Sequence, residues 1–98
     1  MSYKVVVTDR ARRQIAEWRL PDEFLVEVWL RLREALADNP SGILVRTTDP
    51  FDGLVYSFSM VNPANRLEVF HFFFHVLYGQ DETTLYIARG AMLRSFGL

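Results

Sequence analysis

Cysteine is absent from the 98 residues of this chain. The absence excludes a disulfide framework and any thiolate site, and it is typical of proteins that fold in a reducing compartment. No uninterrupted apolar run reaches the roughly 18 residues that a membrane helix needs. The opening residues MSYKVVV are too short an apolar segment for a secretory signal. We therefore expect a cytoplasmic protein without a membrane segment.

Positive charge is not in excess either. The chain has 11 Lys and Arg residues against 12 Asp and Glu residues, which gives a formal net charge of −1 at pH 7. Proteins that bind phosphate backbones over a broad surface usually carry a basic excess. The charge balance therefore argues against broad nucleic-acid binding, while a local basic patch stays open.

Hydrophobic residues make up 50% of the chain and aromatic residues 14%, which is enough for one core. We therefore predict a single domain over residues 1–98. In the first half, Tyr3–Val7 is predicted to be a strand. A helix follows from Thr8 or Asp9, and a second helix runs from Pro21 until the sequence Asn39–Gly42 ends it.

The second half of the chain changes to strand periodicity. Strands are predicted over residues 43–47, 54–61, 68–78 and 83–89, and the tail from Gly90 is predicted to be a short helix or an arm. The fold class that follows is α+β. An N-terminal strand leads to a helical hairpin and then to an antiparallel meander sheet with the helices on one face.

The segment VFHFFFHVLY contains both histidines of the protein. Side chains alternate across a strand, so the phenylalanines at 70, 72 and 74 share one face and His71, Phe73 and His75 share the other. Two helices can cover only one sheet face, and the apolar face is the one they are expected to cover. The uncovered face then also collects Ser57, Ser59, Thr84, Tyr86 and Ala88.

Four residues along a strand separate the two histidines by roughly 13 Å. Both therefore cannot bind one metal ion, and we predict neither a metal site nor a cofactor. Each of His71 and His75 is a candidate for acid–base catalysis near neutral pH. The alternative is a histidine that is hydrogen-bonded to a cross-strand serine or tyrosine and has only a structural role.

The order of elements resembles the RelE/ParE superfamily of type II toxin–antitoxin, or plasmid-stabilisation, systems. The resemblance rests on YKVVVTDRARRQI, on the helical hairpin that ends in LADNP, and on the strands VFHFFFHVLY and TLYIARGAMLR. It implies a RelE/ParE-like fold whose uncovered sheet face is the working surface, and an antitoxin as partner. RelE-like members are metal-independent endonucleases of messenger RNA on the ribosome, whereas ParE-like members act on DNA gyrase.

Residue by residue, the chain departs from the nuclease pattern. Basic side chains expected on the strand VYSFSM are Ser57 and Ser59 here, and an arginine expected in the next strand is His71. The C-terminal arginine that aids cleavage falls near Met92, between Arg89 and Arg94. Because phosphoryl chemistry needs positive charge around the transferring phosphate, a ParE-like, gyrase-directed role is favoured over RNA cleavage by His71 or His75.

A non-toxic interaction module of the same fold is a further alternative, with a homodimer formed through Phe73. The residues predicted to contact a partner are Phe73, Tyr86, Arg94, Ser57 and Ser59. Arg94 is preferred to Arg89 because Arg89 shares the parity of Leu85 and Ile87, which are expected to face the helices.

Overall fold

The structure, a computed structural model, describes residues 2–97. One five-stranded sheet, in the order β1-β5-β4-β3-β2, is combined with three helices. No helix in the described range is long and apolar enough to cross a membrane. The elements are β1 (Lys4–Val7), α1 (Asp9–Ala16), α2 (Asp22–Asp38), α3 (Pro40–Ile43), β2 (Val45–Thr47), β3 (Gly53–Asn62), β4 (Asn65–Tyr78) and β5 (Thr84–Phe96).

The predicted α+β class is confirmed, and the sheet is mixed. Strands β2 to β5 form the predicted antiparallel meander. β1, however, pairs with β5 in parallel, with Val5 opposite Leu85. The meander brings the last strand back beside the first, so the prediction of an antiparallel sheet holds for β2 to β5 and is wrong for β1.

Helix α1 begins where the sequence predicted. The Thr8 side chain accepts a hydrogen bond from the Ala11 amide at 3.2 Å, which is the usual role of an N-cap threonine. The same hydroxyl donates to the Ile87 carbonyl at 2.9 Å, so the cap also ties the helix to β5. The helix ends at Ala16, before Pro21. Trp18 follows it and packs on Phe72, with ring centroids 5.5 Å apart.

Helix α2 supplies most of the helical part of the core. Val28, Leu32 and Leu36 are at most 1% exposed, at the spacing that the sequence pattern predicts. The sequence Asn39–Gly42 was predicted to end this helix, and α2 does end at Asp38; Pro40 then starts the short helix α3, which was not predicted. Strand β2 is consequently shorter than predicted and begins at Val45.

The division of the sheet into two faces is confirmed. On the helix side of β4, Phe72, Phe74 and Val76 have no exposed surface, and the neighbouring strand β5 contributes Leu85 and Ile87, which are equally buried. Aromatic rings pack closely in this layer, with Phe58 and Phe72 centroids 5.4 Å apart. Both histidines lie on the opposite side of β4, as parity predicts.

Strand β5 differs from the prediction in two ways. It continues to Phe96, so the tail is neither a helix nor an arm. It also contains a bulge: His75 pairs with Arg89 while Val76 pairs with Ile87, so Ala88 is an extra residue in β5. One inserted residue transfers every later side chain to the other face of the sheet. Arg89 therefore lies opposite the helices, and Arg94 lies on their side.

Candidate interaction face

The face of the sheet opposite the helices is called the open face below. Strand parity and the pairing register assign its side chains in β3, β4 and β5. They are Val55, Ser57, Ser59, Val61, Val69, His71, Phe73, His75, Leu77, Tyr86, Arg89, Ala91, Leu93 and Ser95.

Large apolar side chains of the open face are exposed to solvent. Leu93 is 61% exposed, Val61 52%, Leu77 48% and Tyr86 38%. Phe73 is half-buried between Ser57 on β3 and Ala91 on β5. By the pairing register, Val61 and Leu93 lie towards one end of the face and Leu77 and Tyr86 towards the other. Exposed apolar side chains grouped in this way are typical of a surface that binds another molecule.

Arg89 is the only Lys or Arg among these side chains of β3 to β5, and β1 adds the exposed Lys4, which lies opposite Thr84. Its Nε and Nη2 atoms lie 3.3 and 3.2 Å from His75 Nδ1, and its guanidinium lies 4.7 Å from the centroid of the Phe51 ring. The guanidinium is thus held in one place by a hydrogen-bond acceptor and an aromatic ring. The prediction that Arg89 faces the helices is wrong, because the bulge at Ala88 reverses its parity.

Arg94 was predicted to be a partner-binding residue of the open face, and its placement there is wrong. Its guanidinium lies on the helix side, 5.4 Å from the Phe70 ring centroid. Its Nη1 atom is 4.0 Å from Glu68 Oε2. The same bulge that turns Arg89 outward turns Arg94 away from the open face.

His75 lies on the predicted face but is only 9% exposed. The segment before β3 folds over it, and the Phe51 ring stacks on the imidazole at 5.9 Å between centroids. Gly53 allows this close approach: its φ is +135°, and a Cβ there would lie 2.8 Å from His75 Nε2. The expectation of an uncovered His75 is therefore wrong, because a loop covers it.

The environment of His75 favours the neutral imidazole. Burial lowers its pKa below the usual value, the Arg89 guanidinium lowers it further, and Asp52 opposes both effects. Since Nδ1 accepts from Arg89, the hydrogen-bond geometry assigns the ring proton to Nε2. The neutral, covered His75 orients Arg89. Its Nδ1 lone pair accepts a hydrogen bond from Arg89 and is therefore occupied.

His71 has a different environment on the same strand. Its Nδ1 lies 2.7 Å from Ser59 Oγ, and its Nε2 lies 2.7 Å from Ser95 Oγ. The alternative of a cross-strand serine contact is therefore the observed geometry for His71. A neutral imidazole has one N–H and one lone pair, so one serine donates to the ring while the other accepts from it. This arrangement can pass a proton between the two hydroxyls.

The structure brings some predicted site residues together and separates others. Ser59 and His71 are in contact, whereas Phe73 stands between His71 and His75 along β4. Within residues 2–97 there is no group of three or more His, Asp or Glu side chains that could hold a metal ion. Leu93, Ser95 and Phe51 were not predicted. Strand parity extended beyond Arg89 would have placed Leu93 and Ser95 on the wrong face, since no residue in the sequence marks the bulge.

Comparisons of this chain with protein-family models, with curated proteins and with solved structures found no match.

Proposed function

We propose that this protein is a ParE-like, toxin-type component of a plasmid-stabilisation system and that its open face binds other proteins. The observation that carries the proposal is the pair of exposed apolar groups on the open face, Val61 with Leu93 and Leu77 with Tyr86, with the fixed Arg89 between them. Protein interfaces favour apolar and aromatic contacts together with arginine, and disfavour scattered lysines and acids.

The same composition argues against phosphate as the main ligand. A surface that holds a nucleic-acid backbone needs several basic side chains, each replacing a counterion. On the open face, Arg89 already directs two nitrogen atoms at His75. Two serines stand where the resemblance leads us to expect basic residues, and they supply no positive charge for a phosphoryl transition state.

The partners proposed here follow from the resemblance to RelE/ParE proteins. They are an antitoxin that covers the open face and DNA gyrase as the cellular target. The element order supports this proposal because a strand, a helical hairpin and a meander sheet occur in this sequence as in that superfamily. An apolar open face supports a protein target in preference to a ribosome-bound messenger RNA.

The test compares two leucines that are similarly exposed. Leu93 is 61% exposed on the open face and Leu30 is 55% exposed on the outer side of α2. Expression of the parent in a bacterial host is expected to arrest growth and to inhibit supercoiling by purified gyrase. Leu93→Glu is expected to remove both effects, whereas Leu30→Glu is expected to keep them. Normal growth and unimpaired gyrase with the parent protein would reject the toxin role.

The antitoxin is tested separately. If a small reading frame adjoins the gene, co-expression of its product is expected to yield a stable complex with the parent and with Leu30→Glu. Leu93→Glu is expected to lose the partner. Retention of the partner by Leu93→Glu would show that the open face is not its binding surface.

The second candidate function is a RelE-like, metal-independent endoribonuclease. The observation in its favour is the hydrogen-bonded row Ser59–His71–Ser95, in which an imidazole is placed to move a proton. Messenger RNA on ribosomes is expected to be cleaved by the parent and not by His71→Ala. His75→Ala is compared in parallel. If the parent protein leaves the RNA intact, the endoribonuclease function is excluded.

A non-toxic module that forms a homodimer through Phe73 predicts a different result. Light scattering would then give twice the monomer mass for the parent and the monomer mass for Phe73→Asp. A monomeric parent would exclude this dimer.

A further inference from the structure

Strand β3 is longer than its outer neighbour. β2 pairs only with Gly53, Leu54 and Val55, while β3 continues to Asn62. From residue 56 to residue 62, β3 is therefore paired with β4 on one side, and no strand among residues 2–97 pairs with its other side. An open edge of this length is a template for another extended chain.

The backbone groups that face outward from this edge can be assigned. Successive residues of an antiparallel strand direct their N–H and C=O groups to alternate sides. The Arg31 Nη1 atom, which belongs to α2, lies 3.5 Å from the carbonyl oxygen of Ser59. Ser59 therefore faces away from β4, and by the same parity Ser57 and Val61 do so as well.

An apolar groove adjoins the far end of this edge. It has a volume of about 590 Å³ and lies between the start of α2 and the turn that joins β3 to β4. Phe24, Met60 and Phe70 form its apolar lining, and Val61 belongs to both the groove and the edge. A strand added to β3 would place alternate side chains in this groove.

The wall of the groove is acidic. Glu23 and Glu27 line it from α2, and both side chains are exposed. Two carboxylates beside an apolar floor favour a ligand that combines apolar side chains with a positive charge. Charge thus distinguishes among the peptides that could pair with the edge.

We infer that the edge of β3 and the adjoining groove form a binding site for an extended, basic peptide segment of another protein. The segment adds a sixth strand through the outward backbone groups of Ser57, Ser59 and Val61. One of its apolar side chains enters the groove, and a lysine or arginine contacts Glu23 or Glu27. Backbone pairing supplies affinity and the groove supplies specificity, as in other strand-addition complexes.

A second copy of this chain fits the same edge less well. If two β3 edges paired about a two-fold axis at Ser59, the two Arg31 guanidinium groups would come together. Arg31 already lies 5.8 Å from the centroid of the Phe58 ring beside the edge. Like charges at a strand edge are a common means of preventing self-association. Arg31 therefore argues against a second copy, and the positive charge of a foreign segment would lie towards Glu23 and Glu27 at the groove end of the edge.

The probe is a phage library of random peptides of about twelve residues, selected on the immobilised full-length protein. Enriched peptides are expected to alternate apolar and polar residues and to include lysine or arginine. They are then synthesised, and their affinities for protein variants are measured by fluorescence anisotropy. N-methylation of alternate peptide amides is expected to abolish binding, because those amides pair with β3, while methylation of the intervening amides is tolerated.

Two pairs of protein variants locate the site. Ser57→Pro removes one outward N–H and is expected to weaken binding about tenfold, the effect of one hydrogen bond. Ser57→Ala keeps that N–H and serves as its control. Glu27→Lys is expected to weaken binding by about tenfold through charge reversal, whereas Glu34→Lys, elsewhere on α2, leaves it within about twofold. The Glu27 comparison decides the matter if Ser57→Pro fails to fold by circular dichroism.

Several results would overturn the inference. They are enrichment of acidic peptides, absence of enrichment over a protein-free control, and peptide binding that Leu93→Glu removes while Glu27→Lys does not. The last result would assign the peptides to the open face. If the parent forms a dimer and Ser57→Pro or Glu27→Lys dissociates it, the occupant of the edge is a second copy of this chain and not a foreign peptide. Because Leu93→Glu changes only the open face, failure of this inference stays distinct from failure of the proposed function.

Discussion

The two faces of the sheet are made by the same strands but differ in burial and in side-chain composition. On β4, Phe72 and Phe74 are fully buried beneath the helices, while Phe73 between them is half-buried on the open face. The helix side is a continuous aromatic layer, and the open face mixes hydroxyls, imidazoles and exposed aliphatic side chains. Strand alternation thus separates the residues that stabilise this fold from those available to a partner.

The open face is itself divided into two regions. Around His75, the Phe51 ring and Gly53 form a cover, and Arg89 is fixed beneath it. Around His71, the side chains of Ser59 and Ser95 are exposed and contact the imidazole from either side. Two histidines four residues apart therefore have unlike roles, and the difference comes from the segment before β3 and not from β4.

The largest expected effect is the difference in unfolding free energy between substitutions on the two faces of the sheet. Phe72→Ala removes a ring with no exposed surface and is expected to cost about 3–5 kcal/mol of unfolding free energy. Phe73→Ala, the adjacent residue on the other face, is expected to cost about 1–2 kcal/mol because its ring is already partly in water. Urea unfolding followed by circular dichroism measures both. Equal losses would mean that the open face is also a core.

The next effect concerns the loop that covers His75. Gly53→Ala is expected to destabilise the fold by about 1–3 kcal/mol, because φ is +135° and the added Cβ would meet the imidazole. Gly97→Ala is the control, since its nearest neighbour beyond the adjacent residues is 4.0 Å away. An unchanged unfolding midpoint for Gly53→Ala would show that the loop does not pack on His75 in solution.

The pH dependence of stability should depend on His75. Its pKa is lowered in the folded state by burial and by Arg89, so the unfolded chain binds more protons in this range. The stabilisation is present above the unfolded pKa of about 6.5 and is lost as pH falls below it towards the lowered folded value. Urea midpoints measured from pH 7.5 to pH 5 are expected to fall more for the parent than for His75→Gln.

Phe51→Ala provides a second check on that assignment. Exposing the imidazole removes part of the burial that lowers its pKa, so the slope of stability against pH is expected to become shallower. A slope as steep as the parent's in both variants would assign the effect to other groups.

The layer structure could be predicted from the sequence because it depends on periodicity. Alternation in VFHFFFHVLY and helical spacing in α2 are local signals, and burial of Phe72, Phe74 and Leu32 followed from them. The Thr8 cap was predictable for the same reason, since a side chain next to a helix start satisfies its own backbone.

The arrangement of the site could not be predicted to the same degree. Its decisive features are the Ala88 bulge and the position of Phe51 over His75, and both depend on contacts between distant segments. A single unpaired residue exchanged the predicted places of Arg89 and Arg94. Exposure of the β3 edge is also non-local, because it depends on where the Pro40 helix ends and on how short this leaves β2.

The smallest expected effect tests whether the row Ser59–His71–Ser95 is structural. Ser95→Ala removes one exposed hydroxyl and is expected to change the unfolding free energy by no more than about 0.5–1 kcal/mol. Nitrogen-15 spectra of the His71 ring are expected to change, because Nε2 loses its only hydrogen-bond partner in the described residues. Ser59→Ala makes the matched change at Nδ1. The spectrum of the parent reports which nitrogen carries the proton when both hydroxyls are present, and the two variants show how each serine affects it. A loss of 2 kcal/mol or more for either variant, on the scale of a buried unsatisfied group, would make the row part of the scaffold and leave the apolar side chains as the functional part of the open face.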